Sequence, residues 1–198
     1  MTYTVIGART TRTARVLWLL EELGQPYDHI AARPRSDAVL RVNPSGKVPV
    51  LVVDGVTLTD STAILTFLAD RHGQFTYPAG SVKRARQDGF LMRVLDEIEG
   101  LLWAASRHSI ILPEAMRVPA LKPVLIWEYE RNLARLADGF AGPYGMGEEM
   151  TLADIVLAHC LKWAEAARFP APAPVLAEYL AQMTARPAFL RAMARGNP

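Results

Sequence analysis

The spacing of apolar and polar positions changes character twice along this chain. "YTVIGA" (3–8) is a short β-rich run followed by polar residues, after which Val16, Leu19, Leu20 and Leu23 recur at i, i+3, i+4 and i+7. That spacing predicts a strand, a loop and an amphipathic helix. Gly24 suits a helix C-cap and Pro26 prevents continuation, so "YDHIAA" can form a second strand. Residues 35–42 are short, polar and ambiguous. "VPVLVVDGVTLTDS" then reads as two strands joined at Asp54-Gly55, a hairpin signature, with a helix from Asp60 to His72 stopped by Gly73. Beyond the turn-rich "GQFTYPAGS" (73–81) no strand pattern recurs. Helical stretches are predicted at 82–111, 119–139, 151–167, 173–184 and 187–194, punctuated by Pro113, Pro119, "GPYGMGEE", "PAPAP" and Pro187. The pattern therefore predicts an α/β domain at 1–73, a linker at 74–81 and an all-helical domain at 82–198.

Composition narrows the classes that this organisation leaves open. With 198 residues, 51% of them hydrophobic, the chain has ample material for packed cores. A net charge of +2 with both signs interspersed argues against nucleic acid as a partner. Cys160 is the only cysteine, which excludes an internal disulfide and a Cys-x-x-Cys motif. "MTYTVIGART" also lacks the charged start and apolar run of a signal peptide, and no apolar run reaches the roughly 20 residues of a membrane span. A soluble, cytoplasmic protein without a membrane partner is expected. His29, His72, His108 and His159 show no zinc-ligand spacing, so no metal is expected.

Candidate chemistry begins at "NPSGKVPVLVVDG" (43–55), where Pro49 stands at the entrance of a strand. Proline cannot donate to a sheet ladder, so one reading is a simple strand-entry residue. The other is that Val48 turns its N–H and C=O outward to pair with an extended peptide-like ligand, most easily if Val48–Pro49 is cis.

Four segments carry a family resemblance. "RVLWLLEELGQPYD" (15–28), "NPSGKVPVLV", "LTDSTAILTFLADRHG" and "MTLADIVLAHCL" (150–161) occur in the order and context of the cytosolic glutathione transferases, whose first helix, cis-proline turn, ligand-binding turn and capped central helix they resemble. The resemblance implies a thioredoxin-like domain followed by an all-α domain. It also implies a homodimeric enzyme that conjugates the thiol of glutathione, its co-substrate, to small hydrophobic electrophiles in detoxification, or reduces peroxides. By the same resemblance Val48, on an edge that Pro49 exposes, pairs through its backbone with the cysteinyl part of glutathione. Ser61 and the helix-start N–H groups would bind the γ-glutamyl carboxylate, and Asp60 its ammonium, although either residue could simply cap the helix. Lys47, or Arg35, would neutralise the glycyl carboxylate.

For thiol activation, Ile6 stands where a Tyr-type enzyme has tyrosine, and no cysteine lies in this segment. "RTTRT" places Thr11 and Thr10 where Ser-type enzymes carry their hydroxyl. Thr11 comes first, four residues before Arg15 as in one Ser-type class, while Thr10 matches the spacing of another. Capping the first helix is an equal alternative for either, and Arg9 and Arg12 would add positive potential. Trp103, Arg107, His108 and Trp163 are the electrophile-pocket candidates, in competition with a core role for the tryptophans. Thr151 and Asp154 form a capping-box pattern expected to be structural. Threonine in place of serine also fits a glutathione-binding or ligand-carrying protein without turnover.

Overall fold

In the computed structural model, which describes residues 2–196 and 198, the chain divides into two compact units: the residues up to 79 together with those from 183 onward, and residues 80–182. The first begins with strand β1 (Tyr3–Ile6), helix α1 (Thr13–Glu22), strand β2 (Tyr27–Ile30) and a single helical turn, α2 (Asp37–Leu40). Strands β3 (Val50–Val53) and β4 (Val56–Thr59) and helix α3 (Ser61–His72) complete it. The sheet order is β2-β1-β3-β4, with β1 parallel to β2 and antiparallel to β3, and β3 antiparallel to β4. This is the thioredoxin-like α/β arrangement: parallel β1 and β2 need the α1 crossover, whereas β3 and β4 need only a tight turn. Asp54 and Gly55 supply that turn at φ 50° and 79°, the left-handed pair that matches strand twist. Val5, Leu17, Leu51, Ile64, Leu65 and Leu68 are fully buried, and Tyr3 Oη meets His72 Nε2 at 2.9 Å.

The second unit is helical throughout its regular structure. Helix α4 (Val82–Val94), a π-turn at Leu95–Glu99, helix α5 (Gly100–Ser106) and a second π-turn at Arg107–Ile111 form one run. A short 3₁₀ turn at Glu114–Met116 precedes α6 (Leu121–Asp138), α7 (Leu152–Ala166) and α8 (Pro174–Thr184). The predicted helix 82–111 thus carries two wide turns: the N–H of Gly100 bonds the carbonyl of Leu95, and that of Leu112 the carbonyl of Arg107. Helix α7 runs through the core, with Leu152, Ile155, Val156, Leu157 and Cys160 fully buried. Its first turn is organised by Asp154, whose carboxylate accepts the N–H groups of Gly145 at 2.7 Å and Thr151 at 2.8 Å. Tyr179 Oη donates to the Asp154 carbonyl at 2.9 Å.

The last helix, α9 (Pro187–Ala194), corrects the expectation of a helical domain reaching residue 198, because it belongs to the first unit and packs on α1. Phe189 meets Trp18 edge-on at 4.8 Å between ring centroids. Arg186 grips Glu22 through two bonds of 2.6 and 2.8 Å, while Arg191 and Arg195 converge on Glu21 at 2.7 and 2.8 Å. The apolar spacing of α9 predicts a helix but does not say which unit its face covers.

Candidate functional site

The turn between residues 43 and 49 is built by Asn43. Its Nδ2 donates to the carbonyl of Lys47 at 2.9 Å, and its Oδ1 accepts from the N–H and hydroxyl of Ser45 at 3.2 and 2.9 Å. The turn leads to a cis peptide bond between Val48 and Pro49. Pro49 is buried, Val48 half-buried and Lys47 exposed. Neither the N–H nor the C=O of Val48 makes a hydrogen bond among the described residues. An extended edge of backbone donor and acceptor is what a short peptide needs for pairing.

Arg35 flanks the same turn. It sits at φ 65°, donates its N–H to the Gly46 carbonyl at 2.8 Å and lies so close that a Cβ on Gly46 would come within 2.9 Å of its Cγ. Two cationic side chains, those of Arg35 and Lys47, therefore extend from one turn.

At the start of α3, Asp60 occupies φ 69° and its Oδ1 takes the N–H groups of Thr62 and Ala63 at 2.9 and 3.1 Å. Asp60 is thus the cap, and a left-handed backbone at a non-glycine residue marks a site held by its surroundings. Ser61 is 3% exposed, and its Oγ accepts a bond from the guanidinium of Arg15 at 3.2 Å.

At the start of α1, the Thr11 hydroxyl donates to the carbonyl of Ala8 at 2.7 Å. Its oxygen accepts the Thr13 N–H at 3.2 Å and lies 2.9 Å from the Thr13 hydroxyl. With its one proton on Ala8, Thr11 draws its second hydroxyl contact from Thr13. Thr10, beside it, is exposed.

Gly7, at the end of β1, joins these parts. A Cβ there would lie 2.2 Å from Thr13 Oγ1 and 3.0 Å from Val48 Cβ, at a φ of 145°. The absence of a side chain at Gly7 is what lets the α1 turn approach the Val48 turn. Of the predicted residues, then, Lys47, Val48, Pro49 and Arg35 share one turn, Asp60 and Ser61 head α3, and Thr10 and Thr11 precede α1.

Sequence reading missed Gly7, Asn43 and the role of Arg15. Arg15 had a signal: it falls four residues before Leu19, on the apolar side of α1, where an arginine is out of place. Asn43 had the Asn-Pro turn pattern.

In the helical unit, Trp103 and Trp163 meet edge-on at 6.4 Å, with His159 6.3 Å from Trp163. Arg107 is exposed one turn beyond Trp103, and the Nδ1 of His108 accepts the N–H of Val118 at 3.2 Å. Two of the four pocket candidates are therefore in contact, and His108 ties the following loop to the helix end.

Comparison with known proteins finds one family throughout. Residues 12–71 match the family model of the glutathione S-transferase N-terminal domain. Glutathione S-transferase 3 of Schizosaccharomyces pombe is 38% identical over 76 residues, 36% of this chain and 31% of that protein. Mouse glutathione S-transferase theta-1 is 31% identical over 128 residues, 61% of this chain and 53% of that one. The chain thus spans about a third to a half of the length of these curated relatives. Among solved structures, the theta class glutathione S-transferase of Xanthomonas axonopodis pv. citri, with glutathione bound, superposes with a TM-score of 0.79 at 25% identity, covering 99% of both chains.

Proposed function

We propose that the chain is a member of the glutathione S-transferase superfamily, a glutathione transferase that adds the thiol of glutathione to small hydrophobic electrophiles. The observation that carries this reading is the unpaired Val48 backbone beside Pro49, standing close to the α1 start through Gly7. In this reading Val48 pairs with the cysteinyl residue, and Ser61 binds the γ-glutamyl carboxylate. Asp60 turns its second oxygen to the ammonium, and Lys47, assisted by Arg35, holds the glycyl carboxylate.

The thiol then faces the turn before α1. A hydrogen bond from that turn lowers its pKa, and the thiolate is the nucleophile. Thr11 is the leading donor by its spacing to Arg15, with Thr10 second. Trp103, Trp163, Arg107 and His108 supply the electrophile pocket, and peroxide reduction is a secondary activity of the same thiolate. The protein works as a homodimer in the cytoplasm, in a detoxification role.

Thiolate absorbance of bound glutathione against pH tests the chemistry. In the wild type the thiol pKa falls below the ordinary value of about 8.5, and Thr11→Ala or Thr10→Ala raises it while leaving affinity nearly unchanged. The engaged Thr11 hydroxyl also favours a second reading, a glutathione carrier without turnover. Tight glutathione binding with an undepressed thiol pKa, and no product from a panel of electrophiles and peroxides, would select the carrier. Light scattering at working concentration reads the dimer.

A further inference from the structure

We propose that the backbone N–H of Ala8 donates to the glutathione sulfur, with His29 as the residue that positions it; the inference rests on the glutathione reading above. Gly7 leaves the sheet with both of its peptide groups held by β2. Its N–H bonds the Ile30 carbonyl at 3.0 Å, and its carbonyl accepts from Nε2 of half-buried His29 at 2.8 Å. A carbonyl can only accept, so Nε2 carries the proton. This side-chain bond fixes the plane of the Gly7–Ala8 peptide. The peptide is trans, so the Ala8 N–H points away from the carbonyl that His29 holds.

Ala8 is held on its other side too, because its carbonyl takes the Thr11 N–H at 3.0 Å and the Thr11 hydroxyl at 2.7 Å. Between these two fixed carbonyls the Ala8 N–H makes no bond among the described residues, although Ala8 is only 4% exposed. An N–H on a buried residue rarely goes unpaired, and here the ligand supplies the acceptor. The place suits the sulfur. A Cβ on Gly7 would come within 3.0 Å of Val48 Cβ, and the Ala8 N–H lies one peptide beyond that meeting point with the turn that pairs the cysteinyl residue. A donor whose direction is set before the ligand arrives favours thiolate over thiol without reorganising. Four residue pairs and the Gly7 N–H already join β1 to β2, so what the imidazole adds is the direction of one peptide.

Thiolate absorbance of bound glutathione against pH tests this, together with calorimetric titration of glutathione and of γ-glutamyl-alanyl-glycine, the same tripeptide without sulfur. His29→Phe should bring the thiol pKa back toward the free value of about 8.5 while leaving affinity for the sulfur-free tripeptide within about twofold of wild type. His29→Gln should restore the wild-type pKa, because its amide N–H reaches about as far as Nε2, whereas that of His29→Asn falls short and should not. Failure of wild type to bind glutathione would overturn the parent reading and this one together. Binding with an undepressed thiol pKa would overturn the sulfur contact and leave the binding site standing. A thiol pKa that stays low in folded His29→Phe would overturn the His29 role alone. Should His29→Phe fail to fold, the amide proton of Ala8 in wild type decides: it must shift with glutathione and stay in place with the sulfur-free tripeptide, and any other response refutes the proposal.

Discussion

Single residues decide what this site can hold. Ser61 is the clearest case, because its hydroxyl is buried and oriented, so Ser61→Ala is expected to weaken glutathione binding by about 1–3 kcal/mol with the fold intact. Calorimetry checks the affinity and thermal melting the fold. Gly7 makes the opposite kind of contribution, through what it lacks. A methyl group there would overlap Thr13 Oγ1 at 2.2 Å and be held at a φ of 145°, so Gly7→Ala should cost about 1–3 kcal/mol of stability and push the α1 turn away from Val48. Lower melting temperature together with weaker glutathione binding is the expected pair of results. Stability unchanged from wild type would mean that the close approach is not needed. Thr11 is the other hydroxyl at issue, and its proton rests on the carbonyl of Ala8.

At the level of elements, two helices have their ends secured by carboxylates in different ways. Asp154 sits wholly inside, joining the start of α7 to the 142–147 loop and to α8 through Gly145, Thr151 and Tyr179. Asp154→Ala leaves the N–H groups of half-buried Gly145 and buried Thr151 without their acceptor, a loss of about 1–3 kcal/mol. The melting temperature should fall while the thiol pKa in the surviving folded protein stays as in wild type. Glu21, at the end of α1, is instead a partly solvated hub for Arg191, Arg195 and Tyr27. Burial pushes its carboxyl up, but the bonds from Arg191, Arg195 and Tyr27 outweigh burial and hold it below its ordinary value. A carboxylate with a depressed folded pKa contributes stability that is complete above its unfolded value, about 4.3, and is lost as pH falls through the folded value. Wild type should therefore lose melting temperature on acidification below about pH 4.3 more steeply than Glu21→Gln. Parallel slopes in the two proteins would remove Glu21 as the source.

For the molecule as a whole, the assignment of 183–198 to the first unit has a direct consequence: truncation after Ala185 removes α9, with Phe189 and the three arginines that hold Glu21 and Glu22. The truncated chain should lose protection of the α1 amides in hydrogen exchange while those of α7 remain protected. Equal protection in both proteins would mean that α1 does not depend on its C-terminal cover. Much of this architecture could be read in the sequence by itself. Period-2 and period-3.6 spacing determined the βα and ββ units, Asp54-Gly55 the hairpin and Gly73 the end of α3, because these signals act between residues a few positions apart. The Val48–Pro49 turn and the Asp60-Ser61 head of α3 were legible for the same reason, since backbone geometry and helix capping are local. The tertiary structure alone decided which unit α9 covers, that Gly7 lets Thr13 and Val48 approach, that the Thr11 proton is engaged, and that a buried Arg15 stands behind Ser61. Each of these depends on residues far apart in the chain meeting in a packed interior. There, the position of a charge or a missing methyl group is set by neighbours that local spacing does not specify.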